Sequence, residues 1–240
     1  MSANVEKTVR DLAVGVPGAP RVFEKLGIDY CCGGGKSLEE ACFGAGVSLQ
    51  EVLAALETGK DRYAGQGDEE WQSHSLAELM NHIVQTHHVY TKSELERLDQ
   101  LSTKVASVHG QNHPELQKVR DLFLVLQKDL MPHMLKEEQV LFPYIEKMED
   151  ASRNGRPAPT PFFGTVRNPV KMMIQEHDTV GDLLRELRST SGDYAVPADG
   201  CTSYRTLYQA LQEFEKDLHQ HIHLENNILF PRAIALESAG

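Results

Sequence analysis

The sequence predicts an all-α protein: an antiparallel four-helix bundle preceded by a small helical domain. Three observations predict it. From Ser75 onward, apolar residues recur every three or four positions through four long stretches, separated by Gly- and Pro-rich loops. The two halves of that region repeat one another. No segment alternates β-branched and polar residues convincingly, so essentially no sheet is expected.

Each element has its own signal. Helix-start signals recur in the first 60 residues: Thr8 with Asp11, Ser37 with Glu40, and Ser48 with Glu51. The apolar stretches between them are short, so three or four short helices are predicted, with little core of their own. Gly59, Gly65 and Gly67 mark Thr58–Ser73 as a linker. The domain boundaries are therefore set at 1–60, 61–74 and 75–240. Ser75 with Glu78 caps helix one, roughly Leu76–Leu101. Gly110 and Pro114 precede helix two, roughly Glu115–Met148. Asp150–Asn168 is a long, proline-rich interruption before helix three, roughly Pro169–Arg188. Gly192, Pro197 and Gly200 then lead to helix four, roughly Ser203–Leu236.

The composition excludes several classes. The 240 residues suffice for one large domain or two modest ones. A net charge of −11, from 24 basic and 35 acidic residues, argues against nucleic acid or an anionic membrane as partner. No apolar run could span a bilayer, and MSANVEKTVR lacks the apolar core of a signal peptide, so a cytoplasmic protein is expected. Four Cys in a chain this long do not make a disulfide framework. Eleven His are the anomaly.

Their placement follows the internal repeat. Helix two carries His133, Glu137 and then Val140-Leu141-Phe142-Pro143; helix four carries His221, Glu225 and then Ile228-Leu229-Phe230-Pro231. His88 lies 45 residues before His133, and His177 lies 44 before His221. Each of these residues falls on the apolar stripe of its helix, as in Leu211, Phe214, Leu218, His221, Glu225 and Ile228. A lone His on such a stripe is ordinarily a satisfied core residue. Four His and two Glu pointing inward at similar depth are different, because burying even one unpaired carboxylate costs several kcal/mol. A divalent cation offsets that cost by binding imidazole and carboxylate directly. A hydrogen-bonded His–Glu network is the alternative. Six side chains are too many for one tetrahedral ion and suit two, with Glu137 and Glu225 each able to bridge. Without thiolate, the set favours iron or manganese over structural zinc.

At this point the residues resemble a known family. The second domain is similar to a hemerythrin-like di-iron bundle. The whole chain, with Asp29-Tyr30-Cys31-Cys32-Gly33-Gly34 and two copies of His-x-x-x-Glu-x-x-x-Leu-Phe-Pro, resembles the RIC family of proteins for the repair of iron centres. The resemblance implies two iron ions held by His88, His133, Glu137, His177, His221 and Glu225, the positions chosen by the stripes. Manganese or zinc fits less well. It implies a function in repairing iron–sulfur clusters damaged by nitric oxide or peroxide, with damaged iron–sulfur proteins as partners. Oxygen-carrying hemerythrins use five His; the smaller number here leaves positions open to water or to a diatomic such as nitric oxide or oxygen. A homodimer is kept open. One departure is Pro132, next to a ligand position, where a proline tends to kink the helix.

Cys31 and Cys32 stand in a glycine-rich loop between two predicted helices. Thiolate chemistry, passing iron or electrons, is one reading; two small residues in a tight turn is the other. The resemblance favours the first. Gly35-Lys36-Ser37 mimics the end of a phosphate-binding loop, but Tyr30 replaces its first Gly and no strand precedes it, so nucleotide binding is rejected. Cys42 and Cys201 are read as structural. His74, His87, His109, His113, His219 and His223 are read as solvated, and Glu138 and Glu176 as solvated or supporting the ligands. Two rival functions use the same site: reversible oxygen or nitric oxide binding, and reduction of nitric oxide or peroxide.

Overall fold

The structure, a computed structural model, describes residues 7–62 and 70–239. Four short helices come first: α1 (Val9–Gly15), α2 (Ala19–Leu26), α3 (Leu38–Ala45) and α4 (Leu49–Arg62). A single turn, α5 (Glu70–Ser73), precedes the long helices. The first of these joins α6 (Leu76–His82), a π turn (Ile83–His88) and α7 (Val89–His109). The second joins α8 (Glu115–Lys136), a π turn (Glu137–Leu141) and α9 (Phe142–Arg153). The third is α10 (Arg167–Thr190). The fourth joins α11 (Thr202–Leu224), a π turn (Glu225–Leu229) and α12 (Phe230–Ala239). No strand occurs among the described residues; Thr8 and Ser37 form one isolated bridge. None of the described helices is long and apolar enough to cross a membrane.

The predicted linker is partly helix. α4 continues to Arg62 and Glu70–Ser73 forms a turn, while the stretch between lies outside the described residues. The cause is packing. A Cβ on Gly59 would sit 3.2 Å from a Val22 methyl, so this glycine permits close approach of α2 and α4 and does not break the helix.

The chain divides into two compact units. The first comprises 1–81, 145–166 and 219–240. Its small helices bury Val9, Leu12, Phe23, Leu38, Val52 and Leu56. The expected capping boxes form at Thr8–Asp11 and Ser37–Glu40. The carboxylate of Glu149 accepts the amides of Leu76 and Ala77, satisfying donors at the start of α6. In the same unit, all ten residues from His221 to Phe230 are buried. A helix with a single apolar stripe leaves its far side wet. Here α1 packs against the π turn, and the Tyr30–Cys31 backbone hydrogen-bonds to it, covering the second face.

The second unit comprises 82–144 and 167–218, and it is a bundle of four helices. α7 and α10 both pack on α8. The α11 portion completes it: Phe214 meets Phe123 edge to face at 6.1 Å, and Glu215 pairs with Arg188 at 2.9 Å. The predicted stripes form this core, except that Phe123 rather than Leu122 is buried on α8 and Ile83 rather than the expected Val84 is buried in the first π turn. Pro132 stays within α8 on its exposed side, where the missing amide is not needed by the core.

Candidate metal centre

The six predicted ligand positions are all buried, none more than 2% exposed. In the second unit the structure brings four of them together. His133 and Glu137 are one turn apart, with Nε2 3.4 Å from Oε2 of the carboxylate. His88 Nε2 lies 3.5 Å from the same oxygen. His133 Nε2 and His177 Nε2 face each other at 3.0 Å. Ligand atoms of His133, Glu137 and His177 thus lie within 4.8 Å of one another. In the first unit, His221 Nε2 lies 3.0 Å from Glu225 Oε1, repeating the His133–Glu137 geometry.

The far edges of two imidazoles are anchored. His88 Nδ1 donates to Glu138 Oε1 at 2.7 Å, and His133 Nδ1 donates to Glu176 Oε2 at 2.8 Å. A carboxylate only accepts, so each ring carries a proton on Nδ1 and turns its Nε2 inward. Lys92 and Lys136 hold the two supporting carboxylates from outside. The hydrogen bond from His133, helped by Lys136 and opposed by burial, brings Glu176 down to about 2. Burial raises Glu138, but the bonds from Lys92 and His88 outweigh it and the net shift is downward. The two glutamates read as solvated or supporting are therefore supporting.

These residues fit a cation. Metal–nitrogen and metal–oxygen bonds of about 2.0–2.2 Å place neighbouring ligand atoms roughly 3.0–3.5 Å apart. The observed separations fall in that range. The imidazole lone pairs and buried carboxylates are electron-pair donors, and their supporting Nδ1–carboxylate bonds have the form found around metal-bound His.

Three π turns occur where the predicted ligands sit. One ends at His88, one begins at Glu137 and one begins at Glu225. Each inserts an extra residue, which rotates the downstream side chains relative to a regular helix. Apolar periodicity assumes a constant angle per residue and does not reveal them. The turn at Ile83–His88 also explains one correction. His87, expected to be solvated, is buried and bonded to Asp217 at 3.0 Å, because the extra residue brings both His87 and His88 inward.

Other histidines depart from the solvated reading because partners cover them. His223 is buried, with Asn227 at 2.8 Å and the Tyr30 ring centred 5.4 Å away. His219 is half-buried and pairs with Glu24 at 2.8 Å. His113 pairs with Asp199 at 3.0 Å, and that bond raises its pKa. His74 is exposed, as expected.

Cys42 is buried, consistent with a structural role, and burial raises its thiol pKa. Cys201 is not structural: it is exposed, and its Sγ lies 3.0 Å from His109 Nε2. The amide of Tyr204 at the start of α11, then His109, bring its thiol from the usual 9.0 to about 7. A loop position just before a helix is a signal the sequence carries; the partner from a distant segment is not. Iodoacetamide at neutral pH is expected to modify Cys201 first, at a rate that rises through about pH 7 as thiolate forms. Mass spectrometry of timed samples checks this; preferential labelling of Cys31 or Cys42 would contradict it.

Cys31 is buried and Cys32 half-buried, with their sulfurs 3.8 Å apart. The hydrogen bond to Cys32, then burial, push the Cys31 thiol up. Gly34, two residues beyond Cys32, has no room for a side chain: a Cβ would lie 2.9 Å from Asn227 Oδ1 and 3.2 Å from the Tyr30 carbonyl.

Comparison with known proteins agrees with this geometry. Residues 79–233 match the hemerythrin HHE cation binding domain, and residues 5–60 match a domain described as being of unknown function. The chain is 34% identical to the probable iron-sulfur cluster repair protein of Haemophilus influenzae, over 95% of this chain and 97% of that protein. It is 32% identical to the iron-sulfur cluster repair protein YtfE of an Enterobacter species, over 97% of this chain and 98% of the relative. The YtfE of Escherichia coli O17:K52:H18 is 33% identical over the same shares. From buried His and Glu groups able to hold a cation, a matching cation-binding domain and relatives aligned almost end to end, it follows that this chain belongs to the family of hemerythrin HHE-containing iron–sulfur cluster repair proteins.

Proposed function

We propose that this chain repairs damaged iron–sulfur clusters, using a pair of iron ions held by His88, His133, Glu137, His177, His221 and Glu225. The observation that carries the reading is the grouping around Glu137. Its buried Oε2 has an imidazole Nε2 on either side, His88 at 3.5 Å and His133 at 3.4 Å, and His177 stands beside His133. One carboxylate between imidazoles from two helices suits a bridge between two ions. The sequence repeat gives Glu225, with His221 at 3.0 Å, the same part. Imidazole with carboxylate and no thiolate favours iron over a structural zinc ion. When bound, iron supplies exchangeable metal and affinity for small diatomics such as nitric oxide or oxygen. The protein's own residues keep the ligand positions buried and fix the imidazoles by their Nδ1 bonds to Glu138 and Glu176. We assign the thiols Cys31 and Cys32 a helping role, in a helical domain at 1–60 joined through 61–74 to the metal-bearing region at 75–240. The clients are iron–sulfur proteins damaged by nitrosative or oxidative stress.

The test is recovery of a [4Fe–4S] enzyme inactivated by nitric oxide or peroxide. Iron-loaded protein is expected to restore activity and chelator-stripped protein is not. Equal recovery with both would overturn the reading, as would reversible diatomic binding with no recovery at all.

Glu138→Gln and Glu176→Gln are expected to weaken metal binding about 10–100-fold each, because the amide no longer accepts from His Nδ1 as a charged partner. Competition with a graded chelator series measures this. Unchanged affinity in both variants would remove the supporting role.

A further inference from the structure

We propose that Asp29, Cys31 and Cys32 form a second cation site, for a thiolate-binding divalent ion such as Fe(II) or Zn(II). Its use as a transfer point for iron rests on the repair reading; the cation site itself does not.

The geometry is that of a tetrahedral site lacking one corner. Ligand atoms of the three residues lie within 4.8 Å of one another. The two sulfurs are 3.8 Å apart, and Cys31 Sγ is 3.5 Å from Asp29 Oδ1. Metal–sulfur bonds of about 2.3 Å and metal–oxygen bonds of about 2.0–2.2 Å give tetrahedral edges of roughly 3.8 Å and 3.6 Å. Neighbouring side chains in extended backbone point to opposite sides. The bend at Cys31–Cys32 turns both sulfurs to one side instead. A disulfide would need about 2.05 Å between them and a strained ring between adjacent residues.

The site is built before any ion arrives. Asp29 Oδ1 accepts the amides of Cys32 and Gly33, each at 2.9 Å, which fixes the carboxylate. The loop is held from outside by α1, where the Arg10 amide donates to the Gly34 carbonyl at 2.8 Å. It is also tied to the turn that begins at Glu225. Asn226 donates to the Cys31 carbonyl at 3.1 Å, and Asn227 donates to the Tyr30 carbonyl at 2.9 Å. Arg10 Nε in turn donates to Asn227 Oδ1 at 2.8 Å. The thiols are thus held in the same unit as His221 and Glu225, by the two residues directly after Glu225.

Binding is simple exchange: two thiols release two protons as two metal–sulfur bonds form, with no change of oxidation state. Cys32 is only half-buried, so the fourth position faces solvent or a client thiol.

The test is titration of reduced, iron-loaded, full-length protein with Cd(II) under anaerobic conditions. A Cys201→Ser background removes the exposed thiol. A sulfur-to-cadmium charge-transfer band saturating at one equivalent is expected. Cys31→Ser with Cys32→Ser should abolish it, and Glu137→Gln with Glu225→Gln should keep it. X-ray absorption at the cadmium edge of the Cys201→Ser protein, with the thiol pair intact, should show two sulfur neighbours and needs no Cys31 or Cys32 variant to fold. Absence of the band, or a band that survives loss of both thiols, would overturn the site. A band with the expected losses but no effect on cluster recovery would uphold the site and count against the repair reading. Thiol-dependent recovery without any band would do the opposite.

Discussion

Replacing both Glu137 and Glu225 by Gln is expected to reduce bound metal from about two ions per chain to near none, and to make the metal-free fold more stable than stripped native protein. Both carboxylates are fully buried. Burying a carboxylate costs several kcal/mol, and a bound cation offsets that cost directly, so removing the cation is destabilising. Metal-stripped native protein should therefore unfold at lower temperature than the metal-free Gln variant. The metal-loaded native protein should be the most stable of all, by roughly 3 kcal/mol or more over its stripped form. Thermal unfolding of the three samples, with metal content measured on each, checks the order. Equal melting of loaded and stripped native protein would mean that the buried acids are compensated within the fold and that no cation is required.

Cys31→Ala with Cys32→Ala is expected to leave the iron pair near its normal content and to cut cluster recovery at least about tenfold. The physical reason is that neither thiol belongs to the His and Glu groups. The sulfurs face each other and Asp29. Removing them deletes an exchange step without deleting a ligand of the pair, so the loss appears in the transfer rate and not in the resting metal content. Iron analysis beside the recovery assay separates the two. A parallel fall in both would show that the thiols maintain the iron pair and that storage and transfer are not separate functions.

The bundle is legible in the sequence because apolar stripes and capping boxes are local signals. Ser37–Glu40 and Ser75–Glu78 form the predicted caps, and the long stripes are buried along their helices except at Val84, where the π turn buries Ile83 instead. The His and Glu positions are legible for a related reason: an ionisable residue on an apolar stripe stands out against its neighbours.

Other features stay hidden because they depend on partners distant in sequence or on changes of helical pitch. Periodicity cannot show that His87 turns inward, because the π turn at Ile83–His88 breaks the assumed pitch. Nor can it show the far side of helix four covered. Leu135 in the first repeat is exposed, whereas His223, at the matching place in the second, is buried beneath Tyr30. The repeat therefore predicts equal surroundings for two copies that differ in what packs on them. Glu138 and Glu176 stand beside ligands in the sequence, but their hydrogen bonds to His88 and His133 come from other helices. Cys201 gains its partner His109 in the same way.

The central claim is most directly tested by Mössbauer spectroscopy of protein isolated anaerobically from cells grown on iron-57, with iron counted per chain. About two high-spin, exchange-coupled irons with nitrogen and oxygen ligands are expected. A folded protein that carries no transition ion and takes up none on reconstitution would contradict the claim.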